Sequence, residues 1–367
     1  MKTGIFTFHN PTNYGAAFQA YALKEAVSRL TGHDVEIIDY TNPRISAESQ
    51  LQAVKQNHSA KGIVKQIIAL PYMKRKLQLF QTFLKKHGNL SPITYDRSTI
   101  HTCQQVYDTV IFGSDQIWNL NLTDSDWNYF GAFSNRVRKI AYAASIGNFD
   151  LRTVAADAEE KLGAFSALSC REETTCAELA EIFGFSSAHV LDPTLLLTGE
   201  DWRKLKQPVK TPEEYILLYL ISPQSEDFRF AKQLSKQTGL PVLYVNYSFK
   251  KYPGVTNLGA VSPENFLHLL DGAAYVVTNS FHGTVLSVNL HKDFYCQIPA
   301  KKGKANQRVL NILRQLELQD RCLYDDMQMT VKCSPDWAQV DLLLEQKRIH
   351  SKEFLKHALE MNHEQTV

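Results

Sequence analysis

The chain has 367 residues, of which 44% are hydrophobic and 21% charged. That composition suits a folded protein of about two domains and excludes a disordered one. Lys and Arg number 40 against 38 Asp and Glu, a formal charge of +2, which gives no electrostatic ground for nucleic acid as a partner.

Taken from the start, Lys2 to Phe8 reads as a short buried strand. It runs straight into the polar His9-Asn10-Pro11-Thr12-Asn13, so it is too short for a secretion signal. No window holds the roughly 20 apolar residues of an integral membrane segment. A cytoplasmic protein is expected. Tyr14 to Leu30 follows as a helix, and Val35 to Tyr40 as a second strand. This opening predicts a parallel sheet. Pro43 to Gly62 is polar and aperiodic, an exposed insertion. Ile63 to His87 has a helical pattern that Pro71 is expected to break. Tyr107 to Phe112 and Lys139 to Ser145 read as strands. Leu168 to Arg171 leads into a helix over 172–183, and His189-Val190-Leu191 into Asp192-Pro193-Thr194.

Trp202 to Glu214 is charged, carries Pro208 and Pro212, and is the best linker candidate. After it the alternation restarts. Strands are expected at 215–221, 242–245 and 275–278, and helices at 225–238, 263–270 and from about His282. The tail from Trp337 to Asn362 is helical. The expected fold class is α/β, with two Rossmann-like domains facing a central cleft. The expected boundaries are 1–200 for the first domain and 201–338 for the second. A helix over 339–367 is expected to pack back on the first. In such sheets ligands bind beyond the carboxyl ends of the strands.

Four strand ends carry candidate chemistry. Thr278-Asn279-Ser280-Phe281-His282-Gly283-Thr284 places a histidine at the opening of a helix, whose N–H groups and dipole suit an anion. His282 there can pass a proton to a bound phosphate or carboxylate ligand, or Ser280 can merely cap the helix while His282 fills space. Arg171, at a second helix start, can fork onto a phosphate or carboxylate, or pair with Glu172, Glu173 or another acid. Phe112-Gly113-Ser114-Asp115-Gln116-Ile117-Trp118-Asn119 offers Asp115 as a base or a helix cap, and Trp118 as a sugar-stacking ring or a core residue. Asn10, Asn13 and Tyr14 can meet hydroxyls or serve the turn. One glycine there rules out a dinucleotide fingerprint, and no Walker A sequence is present. The run Lys301-Lys302-Gly303-Lys304, ahead of Arg308, is basic. It reads as a solvated loop or as a means of drawing in an anionic donor. The six cysteines form no C-x-x-C, and no metal site is expected.

Asn13-Tyr14-Gly15-Ala16 with Gln19 to Leu23, Gly113 to Asn119, Tyr142 to Gly147, Leu191 to Thr194 and Ser280 to Thr284 together resemble the polysaccharide pyruvyl transferase family. The resemblance implies a GT-B-like fold. It also implies transfer of a pyruvyl group from phosphoenolpyruvate to sugar hydroxyls as a ketal, in capsule or exopolysaccharide synthesis. His282 and Arg171 match family positions associated with the donor. On this reading Ser280, Gly283, Thr284 and Arg308 complete the donor site, with His282 as the acid and Asp115 as the base. Asn10, Asn13, Tyr14, Gln116 and Trp118 form the acceptor side. The acceptor is a saccharide or lipid-linked glycan, and no cofactor is needed. The alternatives are a nucleotide-sugar glycosyltransferase of the same architecture and a non-catalytic glycan-binding relative.

Overall fold

The computed structural model describes residues 2–46, 60–221, 223, 225–245, 252–298 and 306–360. The chain divides into two compact units. The first comprises Met1–Leu51, Leu84–Leu196 and Glu345–Val367. The second comprises Gln52–Phe83 and Leu197–Leu344. Most of the expected insertion, and all of Lys301, Lys302 and Lys304, lie outside the described residues.

The first unit is built on β1 (Thr3–Phe6), β2 (Val35–Tyr40), β3 (Leu90–Tyr95), β4 (Thr109–Phe112) and β5 (Arg138–Ala141). Every pair is parallel and the order is β3-β2-β1-β4-β5. Near-continuous apolar runs suit strands covered on both faces, and β1 and β4 are buried along their whole length. Helix α1 (Tyr14–Thr31) joins β1 to β2. Asn13 caps it, accepting from Gly15 N, and left-handed Gly32 ends it. Strand β3 escapes a reading by pattern because Pro92 interrupts it. A proline is tolerated there because β3 is an edge strand.

Helix α2 (Ala60–Phe83) runs through Pro71 without the expected break. It packs against α6 (Pro263–Gly272), with Ala69, Phe80 and Phe83 buried, so tertiary contacts on both sides outweigh one lost backbone bond. In the first unit α3 (Ala155–Leu162), β6 (Ser169–Cys170), α4 (Glu173–Phe183) and β7 (Ala188–His189) follow β5. Strands β6 and β7 form a separate two-stranded pair.

The second unit holds β8 (Ile216–Tyr219), α5 (Arg229–Thr238), β9 (Val242–Tyr244), β10 (Val255–Asn257), β11 (Tyr275–Thr278) and α7 (Phe281–Asn289). Strand β12 (Asp293–Ile298), α8 (Gln307–Gln315) and β13 (Cys322–Tyr324) complete it. Its sheet is also wholly parallel, in the order β10-β9-β8-β11-β12-β13. Helix α9 (Trp337–Glu360) belongs to the first unit from Glu345 on. There the buried Arg138 donates to the carbonyls of Leu359 and Ala358, and Leu191 N donates to Ser351 Oγ. The stretch read as a linker differs from expectation. The units divide at Leu196–Leu197, and Trp202 is fully buried in a short helix that Thr198 opens with a capping box.

Candidate active site

In both sheets the strand order reverses beside the first strand, so helices leave to opposite faces and a crevice opens at the carboxyl ends. In the first unit this switch point lies between β1 and β4. Residues 7–15 and 113–119 therefore line it. In the second it lies between β8 and β11, and the segment from Thr278 to Thr284 stands there.

At the first switch point, β4 ends in a tight turn. Gly113 has φ +127°, and a Cβ on it would lie 2.0 Å from the Tyr142 carbonyl oxygen. Asp115 follows with φ +69°, left-handed for a residue with a side chain. Its Oδ1 accepts from Gln116 N at 2.9 Å and faces Arg171 Nη2 at 3.4 Å. The Arg171 side chain is only 2% exposed. Its Nε lies 3.2 Å from Glu172 Oε1, and its Nη1 lies 2.9 Å from Asp192 Oδ2. Burial works against the guanidinium's charge, but Glu172, Asp115 and Asp192 more than offset it and hold its pKa above the ordinary arginine value. Of the two readings left open for Arg171, the ion pair is the one realised here, with three acids rather than one.

His9, almost wholly buried, occupies the end of β1. Its Nδ1 lies 3.2 Å from the Thr7 carbonyl and its Nε2 lies 3.0 Å from Asp39 Oδ1. Burial alone would raise the Asp39 carboxyl. Bonds from His9, Thr94 and Asn10 outweigh it and lower the pKa.

The expected acceptor residues separate. Asn10 is half-buried and donates to the Tyr40 carbonyl at 2.9 Å. Asn13 is the exposed cap of α1. Gln116 is half-buried beside Gly147. Tyr14 is buried and stacked near Phe18, so its ring is not offered to a ligand. Trp118 is a correction. It is 0% exposed, stacked on Phe130 at 5.8 Å and edge-on to Phe165, a core residue that cannot stack on a sugar. Within Phe112 to Asn119 the indole's bulk and its position near a strand end read alike for both roles. Only burial separates them.

At the second switch point the loops after β8 and β11 are stitched together. Thr278 Oγ1 donates to the Tyr219 carbonyl at 2.7 Å. Asn279 accepts from Ile221 N at 2.7 Å and donates back to the Ile221 carbonyl. Ser280 caps α7, its side chain accepting from Gly283 N at 3.3 Å. Thr284 Oγ1 donates to the Ser280 carbonyl. A Cβ on Gly283 would come within 2.5 Å of Thr278 Oγ1, so the glycine lets α7 start close against the strand. His282 sits in that first turn, 8% exposed, edge-on to Phe281. Arg308 is half-buried in α8. Among the described residues no group of His, Cys, Asp and Glu could hold a metal ion, and no helix is long and apolar enough to cross a membrane.

Sequence reasoning passed over Gln19, Ser114, Glu172 and Asp192 as parts of the site. All four stood beside or inside segments already singled out. The missing signal was three-dimensional, since 78 residues separate Ser114 from the Asp192 it bonds.

Two wholly parallel sheets of this order, each with a switch point beside its first strand, define a two-unit α/β fold of the GT-B-like class. Solved structures share the fold. A putative UDP-N-acetylglucosamine 2-epimerase from Listeria monocytogenes is 9% identical, with a TM-score of 0.50, covering 98% of this chain and 91% of its own. Another UDP-N-acetylglucosamine 2-epimerase is 10% identical, also at 0.50, covering 98% and 95%. The S. aureus MnaA–UDP structure is 12% identical at 0.48, covering 98% and 91%. At these identities the likeness concerns the fold alone. Residues 13–296 match the polysaccharide pyruvyl transferase family, and the chain belongs to it. No curated protein matches the chain.

Proposed function

We propose that the protein moves a pyruvyl group from phosphoenolpyruvate to two hydroxyls of a saccharide or lipid-linked glycan, forming a cyclic ketal in surface polysaccharide synthesis in the cytoplasm. The observation that carries this reading is His282, buried in the first turn of α7 at a switch point, in a chain of the pyruvyl transferase family.

The donor carries a phosphate and a carboxylate, and the α7 start with Ser280, Gly283 and Thr284 is suited to such an anion. Arg308 adds positive charge. His282 as imidazolium protonates the methylene carbon, leaving a cation at the central carbon stabilised by its oxygen. A sugar hydroxyl attacks that carbon and gives its proton to Asp115. The bond from the central carbon to the phosphate oxygen breaks, phosphate leaves, and a second hydroxyl closes the ketal as its proton passes to the phosphate; Asp115 releases and His282 takes up one proton through solvent, which restores both. The sum is donor plus diol to ketal plus inorganic phosphate, with no oxidant and no resident cofactor in the scheme. Asn10, Asn13 and Gln116 supply polar contacts to the acceptor. Arg171 serves the acceptor side by holding Asp115, a role that fits its three acid partners better than a donor clamp does.

Thermal-shift titration tests the reading. Phosphoenolpyruvate should raise the melting temperature in a saturable way, and His282→Ala should abolish the rise. Stabilisation by nucleotide sugars but not by phosphoenolpyruvate would move the protein to the glycosyltransferase reading. Stabilisation by glycans alone would make it a binding protein.

A further inference from the structure

The motif Leu191-Asp192-Pro193-Thr194 has no part in the scheme above, yet its acid stands at the centre of the first switch point. Asp192 is 2% exposed, and both its carboxylate oxygens are engaged. Oδ1 accepts from Thr194 N at 3.0 Å and Thr194 Oγ1 at 2.6 Å, which fixes the carboxylate plane. Oδ2 accepts from Arg171 Nη1 at 2.9 Å and from Ser114 Oγ at 3.2 Å. One oxygen therefore reaches Asp115 by two routes. Arg171 Nη2 faces the Asp115 carboxylate, and Ser114 is the residue before Asp115.

Ser114 is fastened on its other sides as well. Its N–H donates to Gln19 Oε1 at 3.1 Å, and its carbonyl accepts from Thr7 Oγ1 at 3.1 Å. Gln19, fully buried, donates in turn to Thr7 Oγ1 and the Phe8 carbonyl at the end of β1. Asp115 itself holds a left-handed φ, which costs about 1 kcal/mol or more for a side-chain-bearing residue and persists only where the surroundings impose it.

We propose that Asp192 is a positioning residue, which locks Ser114 and Arg171 together and so aims the Asp115 carboxylate. For catalysis this rests on the reading of Asp115 as the base. A group displaced by about 1 Å can cost roughly 100-fold in rate, so a strut this close to the base should be felt in turnover. Asp192→Asn is a demanding variant. It can keep the Thr194 bonds while turning an amide N–H toward the Arg171 guanidinium.

The test is a double-mutant cycle with an activity-free readout beside it. Asp192→Asn should lower kcat by roughly 10-fold or more with donor KM within about twofold, and should cost nothing further in an Asp115→Asn background. Equal losses in both backgrounds, or an unchanged kcat, would overturn the proposal. Independently of any reaction, amide exchange at Ser114 to Gln116 should quicken about 10-fold in Asp192→Asn, with β1 and α1 unchanged. Uniform quickening would show general destabilisation, and no quickening would show that the turn does not depend on Asp192. Either result overturns the proposal. If Asp192→Asn does not fold, Ser114→Ala removes the strut without a charge change, and the same cycle and exchange pattern decide. Should the native protein form no ketal from phosphoenolpyruvate, the functional reading falls while the exchange result still judges the positioning role.

Discussion

The two switch points share a topology and differ in chemistry. At the first, one buried guanidinium is surrounded by the carboxylates of Asp115, Glu172 and Asp192, so acids outnumber the cation. At the second, no carboxylate occurs from Thr278 to Leu290, and hydroxyls, the Asn279 amide and an imidazole meet a helix start. Strand order explains where both crevices lie but not what either binds. The excess of acid disfavours an anion at the first, and the helix start favours one at the second. That contrast is why the anionic donor is assigned to the second unit and the hydroxyl-bearing acceptor to the first.

The largest expected effect would break the assignment outright. His282→Ala should cut turnover roughly 100-fold or more and weaken donor binding, while Asp115→Asn should cut turnover about as far and leave donor binding near normal. His282→Gln should recover binding better than turnover, because an amide cannot protonate carbon. Donor affinity measured by calorimetry on each mutant decides. Loss of donor affinity in Asp115→Asn but not in His282→Ala would exchange the two roles.

A second prediction sharpens the electrostatic side of the contrast. Arg171→Leu leaves the buried Glu172 and Asp192 and the half-buried Asp115 without their cation and should cost about 3–5 kcal/mol, read from denaturant unfolding. The matching change in the second unit, Ser280→Ala at the α7 cap, should cost only about 1 kcal/mol. Similar costs would mean that the first crevice is not organised around the guanidinium.

Trp118→Phe should cost about 1 kcal/mol of stability and leave acceptor KM unchanged, since the ring packs on Phe130 and Phe165. A several-fold rise in acceptor KM at unchanged stability would return the indole to the acceptor site.

The smallest effect concerns acid. Asp39 titrates below its ordinary value in the folded protein, so its contribution to stability is full above the unfolded value of about 3.9 and is lost as the pH falls through the lower, folded one. The loss therefore falls below about pH 4. Between pH 5 and pH 2.5 an Asp39→Asn variant should lose less stability than the parent, by chemical denaturation at each pH. Asp271, lowered in the second unit against its burial by Lys206 and Arg203, should behave alike. A parent and variant with the same pH dependence would remove Asp39 from the acid response.

Much of this protein is legible from residues alone. Apolar runs located β1, β2, β4, β8 and β11, because buried parallel strands are apolar on both faces. Helix α1 was legible from its periodicity, and the place of His282 at a helix start from a polar turn closing an apolar strand. Local pattern failed where a distant partner overrides it. Pro92 hid an edge strand, and Pro71 lies inside a helix that packing on α6 sustains. Trp202 is core within a stretch that reads as linker. Burial decided Trp118 and Tyr14, which no window of sequence could.

The sequence by itself determined the alternation of strands and helices, and hence the side of each sheet on which chemistry must stand. It determined the family too, through short motifs in a set order. Tertiary structure alone decided that Arg171 meets three acids, that Asp192 reaches Ser114 across 78 residues, and that Gln19 ties the ends of β1 and β4. The physical reason is range. Hydrogen-bonding periodicity and apolar burial act over a few residues and leave a mark in local pattern. The pairing of buried polar groups depends on which strand ends the topology brings side by side, and no local stretch of chain carries that information.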